Sequence, residues 1–298
     1  MNAAQVVGGT SARSAIPPGE AVACPPIFVG GTGRSGTTIL GRLLGAHPDH
    51  ELIPVEARFH SSPDGLPGVL GGSVTPAEFA RRVVEQWYRR PGRPKLSTFI
   101  ERDTLDAALA RFLSRAPEDP VAAGRKLMEE LFGGYAHSMG KPGWVEMTPI
   151  NSIWGAPALA RLFPELRMVY VMRDGRDVAS SLIGRGWMAD VREALAWWET
   201  RMGQCHRMCQ KLAPGAMHTV YFERLLVEDR AGALRELQAF LGWVDEPTVQ
   251  RFFAHRMTPA NAHVGRWKTH LARAERAFLA AEYPAAITRL QAAGVPVP

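Results

Sequence analysis

The amino-acid sequence predicts an α/β fold, with a central, mostly parallel sheet flanked by helices and one helical insertion. Three observations carry this. Apolar stretches of strand length alternate with helix-length stretches, the order that builds a parallel sheet covered on both faces. Two strands run through a glycine-containing turn straight into a helix. Between these two units, residues 61–141 read as loops and helices without a strand.

The first unit lies within Pro25–Pro48. Its apolar strand, Ile27 to Gly30, enters the octapeptide Gly31-Thr-Gly-Arg-Ser-Gly-Thr-Thr38, and a helix follows without a break. Such a turn exposes backbone N–H groups at the positive end of a helix dipole, a place to hold an anion, most often a phosphate. Ile39, Leu40, Leu43 and Leu44 give the helix one apolar face, and His47-Pro48 ends it. Glu51–Glu56 reads as a short extended piece in which Pro54 excludes a central hydrogen-bonded position. It delivers Glu56, Arg58 and His60 just beyond.

Residues 61–141 start with a Gly/Pro-rich loop and continue with helices around 76–90, 103–115 and 121–139. Gly143–Thr148 and Arg167–Met172 are the next strands, with a helix over 155–163 between them. After Met172, the turn Arg173-Asp-Gly-Arg-Asp-Val-Ala-Ser-Ser181 opens a helix and forms the second unit, now with two arginines. A long helix over 191–212 carries Trp197 and Trp198 as core or groove packing. A strand at Met217–Phe222 is followed by helices near 229–242 and 246–255. The loop His263–Lys268 then leads into a last helix that ends at about residue 281.

Length and composition bound the function. A chain of 298 residues with 46% hydrophobic residues can form one large domain, 25–298, behind a flexible tail at 1–24 that lacks a signal-peptide pattern. The net charge of +6 suits an anionic ligand, while no Lys/Arg run interleaved with aromatics points to nucleic acid. Cys24, Cys205 and Cys209 do not make a disulfide framework, and Cys205-His206 with Cys209 lacks a second ligand pair. A cytoplasmic protein without a metal is expected. No stretch approaches the roughly 18 apolar residues of a membrane span. Nothing in the sequence reports the oligomeric state.

Three phosphate-binding templates compete for Gly31–Thr38. The P-loop pattern fits at Gly31, Gly36 and Thr38, but Thr37 stands where a nucleoside-triphosphate enzyme has its lysine. The dinucleotide pattern fits at Gly31, Gly33 and Gly36, with Glu56 about 20 residues beyond as the acid for a ribose hydroxyl. An NAD(P)-dependent oxidoreductase of that type would carry a tyrosine with a lysine four residues on, and none of the five tyrosines has one.

The third template rests on four motifs in order: Arg34-Ser-Gly-Thr-Thr38 after an apolar strand, the helix ending in His47-Pro48, Arg173 to Ser181, and Gly265-Arg-Trp-Lys268. Together they resemble the sulfotransferases that use 3′-phosphoadenosine 5′-phosphosulfate, closest in style to the tyrosylprotein and bacterial branch. The resemblance implies a P-loop-like nucleotide-binding fold that needs two anion sites and no metal. It places the 5′-phosphosulfate on Gly33, Arg34, Ser35, Gly36, Thr37 and Thr38, with Arg34 stabilising charge on the leaving phosphate and the sulfuryl group. Arg173 and Ser181 match the 3′-phosphate pair. Phe222 stands at an aromatic nucleotide contact, and Gly265, Arg266, Trp267 and Lys268 match a segment that folds over the 3′-phosphate and adenine.

On the acceptor side the resemblance makes Glu56 the base, with Arg58 orienting it or contacting substrate and His60 as a further substrate contact. His60 and His137 are rival bases. The insertion over 61–141 is expected to cap the acceptor, which a lipid, carbohydrate, peptide or small-molecule hydroxyl or amine would satisfy. Met147 stands where many relatives carry a lysine. Arg34 with a second cation, Lys141 or Lys268, would then take over, or the chain is a non-catalytic nucleotide-binding relative.

Overall fold

A computed structural model describes residues 24–89 and 95–298, so the expected tail at 1–24 lies outside the described residues except for Cys24. Five strands form one sheet: β1 (Ile27–Gly31), β2 (His50–Leu52), β3 (Gly143–Met147), β4 (Arg167–Met172) and β5 (Met217–Tyr221). Their order is β2-β3-β1-β4-β5, and every pairing is parallel.

β1 is buried at every position, as expected of the centre of a sheet covered on both faces. Alternate residues face opposite ways. Phe28, Met168, Tyr170 and Met172 join one core, while Ile27, Val29, Val145, Val169 and Val171 join the other. The helix Thr37–Leu44 packs Leu40, Leu43 and Leu44 into the second core. The helices of the insertion fill the first core, where Phe79 and Phe112 meet at 5.0 Å and Phe132 meets Trp144 at 5.2 Å.

The strand order fixes where a ligand can sit. β1 passes the chain toward β2 at one edge, whereas its neighbour β4 passes it toward β5 at the other. Connections leaving in opposite directions open a crevice at the carboxyl ends of these two strands. The turns after β1 and β4 are the two anion-binding turns of the sequence.

Two boundaries differ from expectation. Of the extended piece at 51–56, only Glu51 and Leu52 belong to a strand, because the chain leaves the sheet at Pro54. The last helix passes 281 and runs Arg273–Ala292 through Pro284. Leu279, Tyr283, Ala286 and Leu290 are buried along one face, and this packing outweighs the hydrogen bond that Pro284 lacks.

Candidate active site

The backbone shapes the first turn. Gly33 (φ 90°) and Gly36 (φ 98°) take conformations that only glycine adopts without strain, and at Gly36 a Cβ would lie 2.1 Å from Phe222 Cε2. Arg34 (φ 58°) joins them in the left-handed region. Among the described residues, the other two non-glycine residues there are Arg58 (φ 62°) and His263 (φ 53°). All three line one cleft of ≈ 670 Å³. Backbone strain of about 1–3 kcal/mol per residue concentrates where a site demands a special geometry.

Two arginines from the two turns meet in this cleft. Arg34 Nε donates to Ser181 Oγ at 3.0 Å. Arg173, only 8% exposed, donates from Nη1 to the Arg34 carbonyl at 3.2 Å and from Nη2 to the His263 carbonyl at 2.9 Å. Its guanidinium lies 4.9 Å from the ring centre of Phe222, and its buried Nε has no protein partner. Arg34 lies over the Trp187 ring at 5.5 Å. Burial, then Arg185 and Arg173, pull the Arg34 pKa below its ordinary value, yet a guanidinium stays charged throughout the physiological range.

The walls are cationic. Among the described residues, Arg34, Arg42, Arg58, Arg173, Arg185 and Arg256 line the cleft with one carboxylate, Glu56. Glu56 Oε2 accepts from Arg58 Nη2 at 2.7 Å, and both side chains remain partly exposed. Such an exposed pair adds little stability and leaves the carboxylate open to a ligand. A polyanion fits this balance, and the orphaned Arg173 donor, the glycine cradle and the two arginines fit a donor bearing two separated anionic groups.

Gly33, Arg34, Gly36, Thr37, Thr38, Glu56, Arg58, Arg173 and Phe222 therefore share one cleft, as the sequence expected. Other expectations need correction. Ser35 is fully buried, and its Oγ occupies the space a Cβ would need at Gly31, so its hydroxyl does not reach the cleft. His60 is fully buried in the core, with Nε2 3.0 Å from Glu146 Oε2, and cannot touch a substrate there. His137 is exposed on the helix Gly134–Ser138, away from the cleft walls.

The Gly265–Lys268 segment also departs from expectation. Gly265 and Trp267 donate their N–H groups to Asp177, Trp267 is buried, and Arg266 and Lys268 are exposed beyond the walls, which His263 and Asn261 form instead. Among the described residues, none from 61–141 lines this cleft, and the apolar side chains of that insertion fill the first core. Nor does Lys141 replace the lysine missing at Met147. Its Nζ donates to the Gly45 and His50 carbonyls and pairs with Glu51, close to the start of β2.

Sequence reasoning missed Arg42, Arg185, Trp187, Arg256 and His263. The one available signal was Trp187 itself, a tryptophan directly after the turn residue Gly186, and in the structure it is 62% exposed, an unusual place for this side chain.

Comparison with known proteins bears on this geometry. The chain is 25% identical over 232 residues to protein-tyrosine sulfotransferase 2 of Gallus gallus, covering 74% of this chain and 52% of that protein. It is 27% identical over 236 residues to protein-tyrosine sulfotransferase 1 of Danio rerio, covering 74% and 54%. The chain thus spans about half the length of these relatives. The sulfotransferase domain from the Synechococcus PCC 7002 olefin synthase superposes with a TM-score of 0.53 at 16% identity, over 91% of this chain and 98% of that one, a likeness of fold. The profile of the sulfotransferase family matches residues 25–247, a span containing β1–β5 and both anion-binding turns, and the chain belongs to that family.

Proposed function

We propose that the protein transfers a sulfuryl group from 3′-phosphoadenosine 5′-phosphosulfate to an acceptor hydroxyl. The observation that carries this is the meeting of Arg34 and Arg173, from the turns after β1 and β4, in one cationic cleft with Ser181 held on Arg34. The Gly33–Thr38 turn and Arg34 would hold the phosphosulfate, and Arg173 with Ser181 would hold the 3′-phosphate. Phe222, beneath Arg173, offers an aromatic face near the nucleotide.

In the transfer, the acceptor oxygen forms a bond to sulfur while its proton moves to the Glu56 carboxylate. The bond from sulfur to the bridging phosphate oxygen breaks, and its electron pair leaves on the phosphate beside Arg34. A sulfate ester and 3′-phosphoadenosine 5′-phosphate result. Met147 supplies no cation at the end of β3, so the cleft arginines carry the electrostatic role. The names of the relatives make a tyrosyl peptide the first acceptor to test, ahead of a lipid, a carbohydrate or a small phenol.

Titration with 3′-phosphoadenosine 5′-phosphate against ATP and NADPH tests the donor. Saturable binding of the bisphosphate, weaker binding of the other two and sulfate transfer to an acceptor panel are expected. Tight NADPH binding with no response to the bisphosphate would overturn the reading. Bisphosphate binding without transfer would favour a non-catalytic relative.

A further inference from the structure

The segment that brings His263 to the cleft wall turns sharply, with His263 (φ 53°) and Gly265 (φ 71°) both in the left-handed region. One buried carboxylate holds it. Asp177, 2% exposed in the first turn of the helix Gly175–Gly184, accepts the Gly265 N–H at 2.7 Å on Oδ2 and the Trp267 N–H at 3.0 Å on Oδ1. Arg173, one turn earlier, donates to the His263 carbonyl at 2.9 Å and lies 3.7 Å from Asp177 Oδ2. Asp177 and the cleft residue Arg173 thus satisfy two donors and an acceptor of the same loop. A carboxylate there is further favoured by the positive end of the helix dipole.

We propose that Asp177 is a positioning residue for donor binding. It fastens the His263–Trp267 segment to the turn after β4 and so fixes both the cleft wall at His263 and the guanidinium of Arg173. The inference rests on the reading of this cleft as a phosphosulfate-donor site. Asp177 touches backbone and Arg173, and acts on the donor only through them.

The test compares wild type, Asp177→Asn and Gly265→Ala in the full-length protein. The amide of Asp177→Asn cannot accept both N–H groups. Gly265→Ala loosens the same contact from the loop side, because alanine resists positive φ. Each variant should bind 3′-phosphoadenosine 5′-phosphate about tenfold more weakly, the scale of one hydrogen bond to a charged group. The acceptor KM at saturating donor should stay within about twofold. Trypsin should cut faster after Arg266 or Lys268, and saturating bisphosphate should slow that cutting.

Unchanged bisphosphate affinity and unchanged cleavage in the variants would overturn the proposal, as would equal losses on the donor and acceptor sides. Should Asp177→Asn fail to fold, Gly265→Ala decides alone. Failure of wild type to bind the bisphosphate would instead overturn the donor-site reading, so the two failures are distinct.

Discussion

Arg34 Nε donates a 3.0 Å hydrogen bond to Ser181 Oγ, joining residues 147 apart in sequence and on two different strand–turn–helix units. The sequence assigned Arg34 to the sulfated end of a donor and Ser181 to its second phosphate. Their contact puts both proposed anion sites within the reach of one side chain. Arg173 tightens the same junction by donating to the carbonyl of Arg34.

Arg34→Ala should therefore lower kcat/KM by about 10²–10³-fold, the scale measured when one preorganised donor to a developing negative charge is removed. Arg34→Lys keeps the charge but loses the planar fork, and should recover only part of that loss. Ser181→Ala should weaken bisphosphate binding by about tenfold or less with a smaller effect on kcat, the loss expected of one neutral donor. Steady-state kinetics with varied donor separates the two. A larger kcat loss for Ser181→Ala than for Arg34→Ala would reverse the assignment.

Among the described residues, Glu56 is the one carboxylate on the cleft walls. Glu56→Gln should lower kcat by about 10²–10⁴-fold toward a hydroxyl acceptor. Arg58→Met frees the carboxylate from its 2.7 Å partner and should cost less in kcat than Glu56→Gln. A loss of less than about tenfold in Glu56→Gln would place the base elsewhere.

Glu56 and His60 show why part of the site was legible and part was not. β1, β4 and the two anion turns are contiguous patterns, readable because apolar run, glycine and helix start lie within a few residues of one another. Glu56 and His60 lie four positions apart, and both read in the sequence as candidate bases. Arg58 takes φ 62° between them, so Glu56 faces the cleft while Phe59 and His60 enter the core. Arg185, Trp187 and Arg256 arrive from segments whose placement depends on how helices far apart in sequence pack, which no local pattern encodes.

The core partner of His60 carries a stability prediction. Glu146 is fully buried, accepting from Thr148 Oγ1 and, at 3.1 Å, from Ser152 Oγ. Glu146→Ala leaves both hydroxyls without that acceptor and His60 without its 3.0 Å neighbour, and should cost about 3–5 kcal/mol in denaturant unfolding. His60→Gln should lower the melting temperature while leaving the shape of the pH–rate profile unchanged. A shifted profile would restore His60 as a candidate base.

Glu223 gives a pH dependence. Burial raises its pKa from 4.5 to about 7, opposed by the hydrogen bond its Oε1 accepts from the Asp174 N–H. Between these two values the folded state holds the proton more tightly than the unfolded chain, so stability falls as pH rises through that window. The loss is at most about 3 kcal/mol, from the size of the shift. Glu223→Gln keeps an acceptor for Asp174 and should flatten the decline, melting higher than wild type at pH ~8 and about equally at pH ~4.5. Parallel wild-type and variant melting curves across that range would exclude Glu223 as the cause.

Gly36 and Phe222 form the tightest steric pair at the donor turn. A Cβ at Gly36 would stand 2.1 Å from the Phe222 ring, and the backbone there has φ 98°. Gly36→Ala therefore combines a clash with a disfavoured conformation of about 1–3 kcal/mol, and bisphosphate binding should fall by more than tenfold. Phe222→Ala alone removes the aromatic face 4.9 Å from Arg173 and should weaken binding by less. In the double variant the clash is gone but the backbone strain stays, so part of the Gly36→Ala loss should return. Calorimetric bisphosphate affinities of the four proteins give the coupling, expected at about 0.5–3 kcal/mol for groups in contact. Strict additivity would mean that the ring moves freely aside, and Phe222 would then lose its place in shaping the turn.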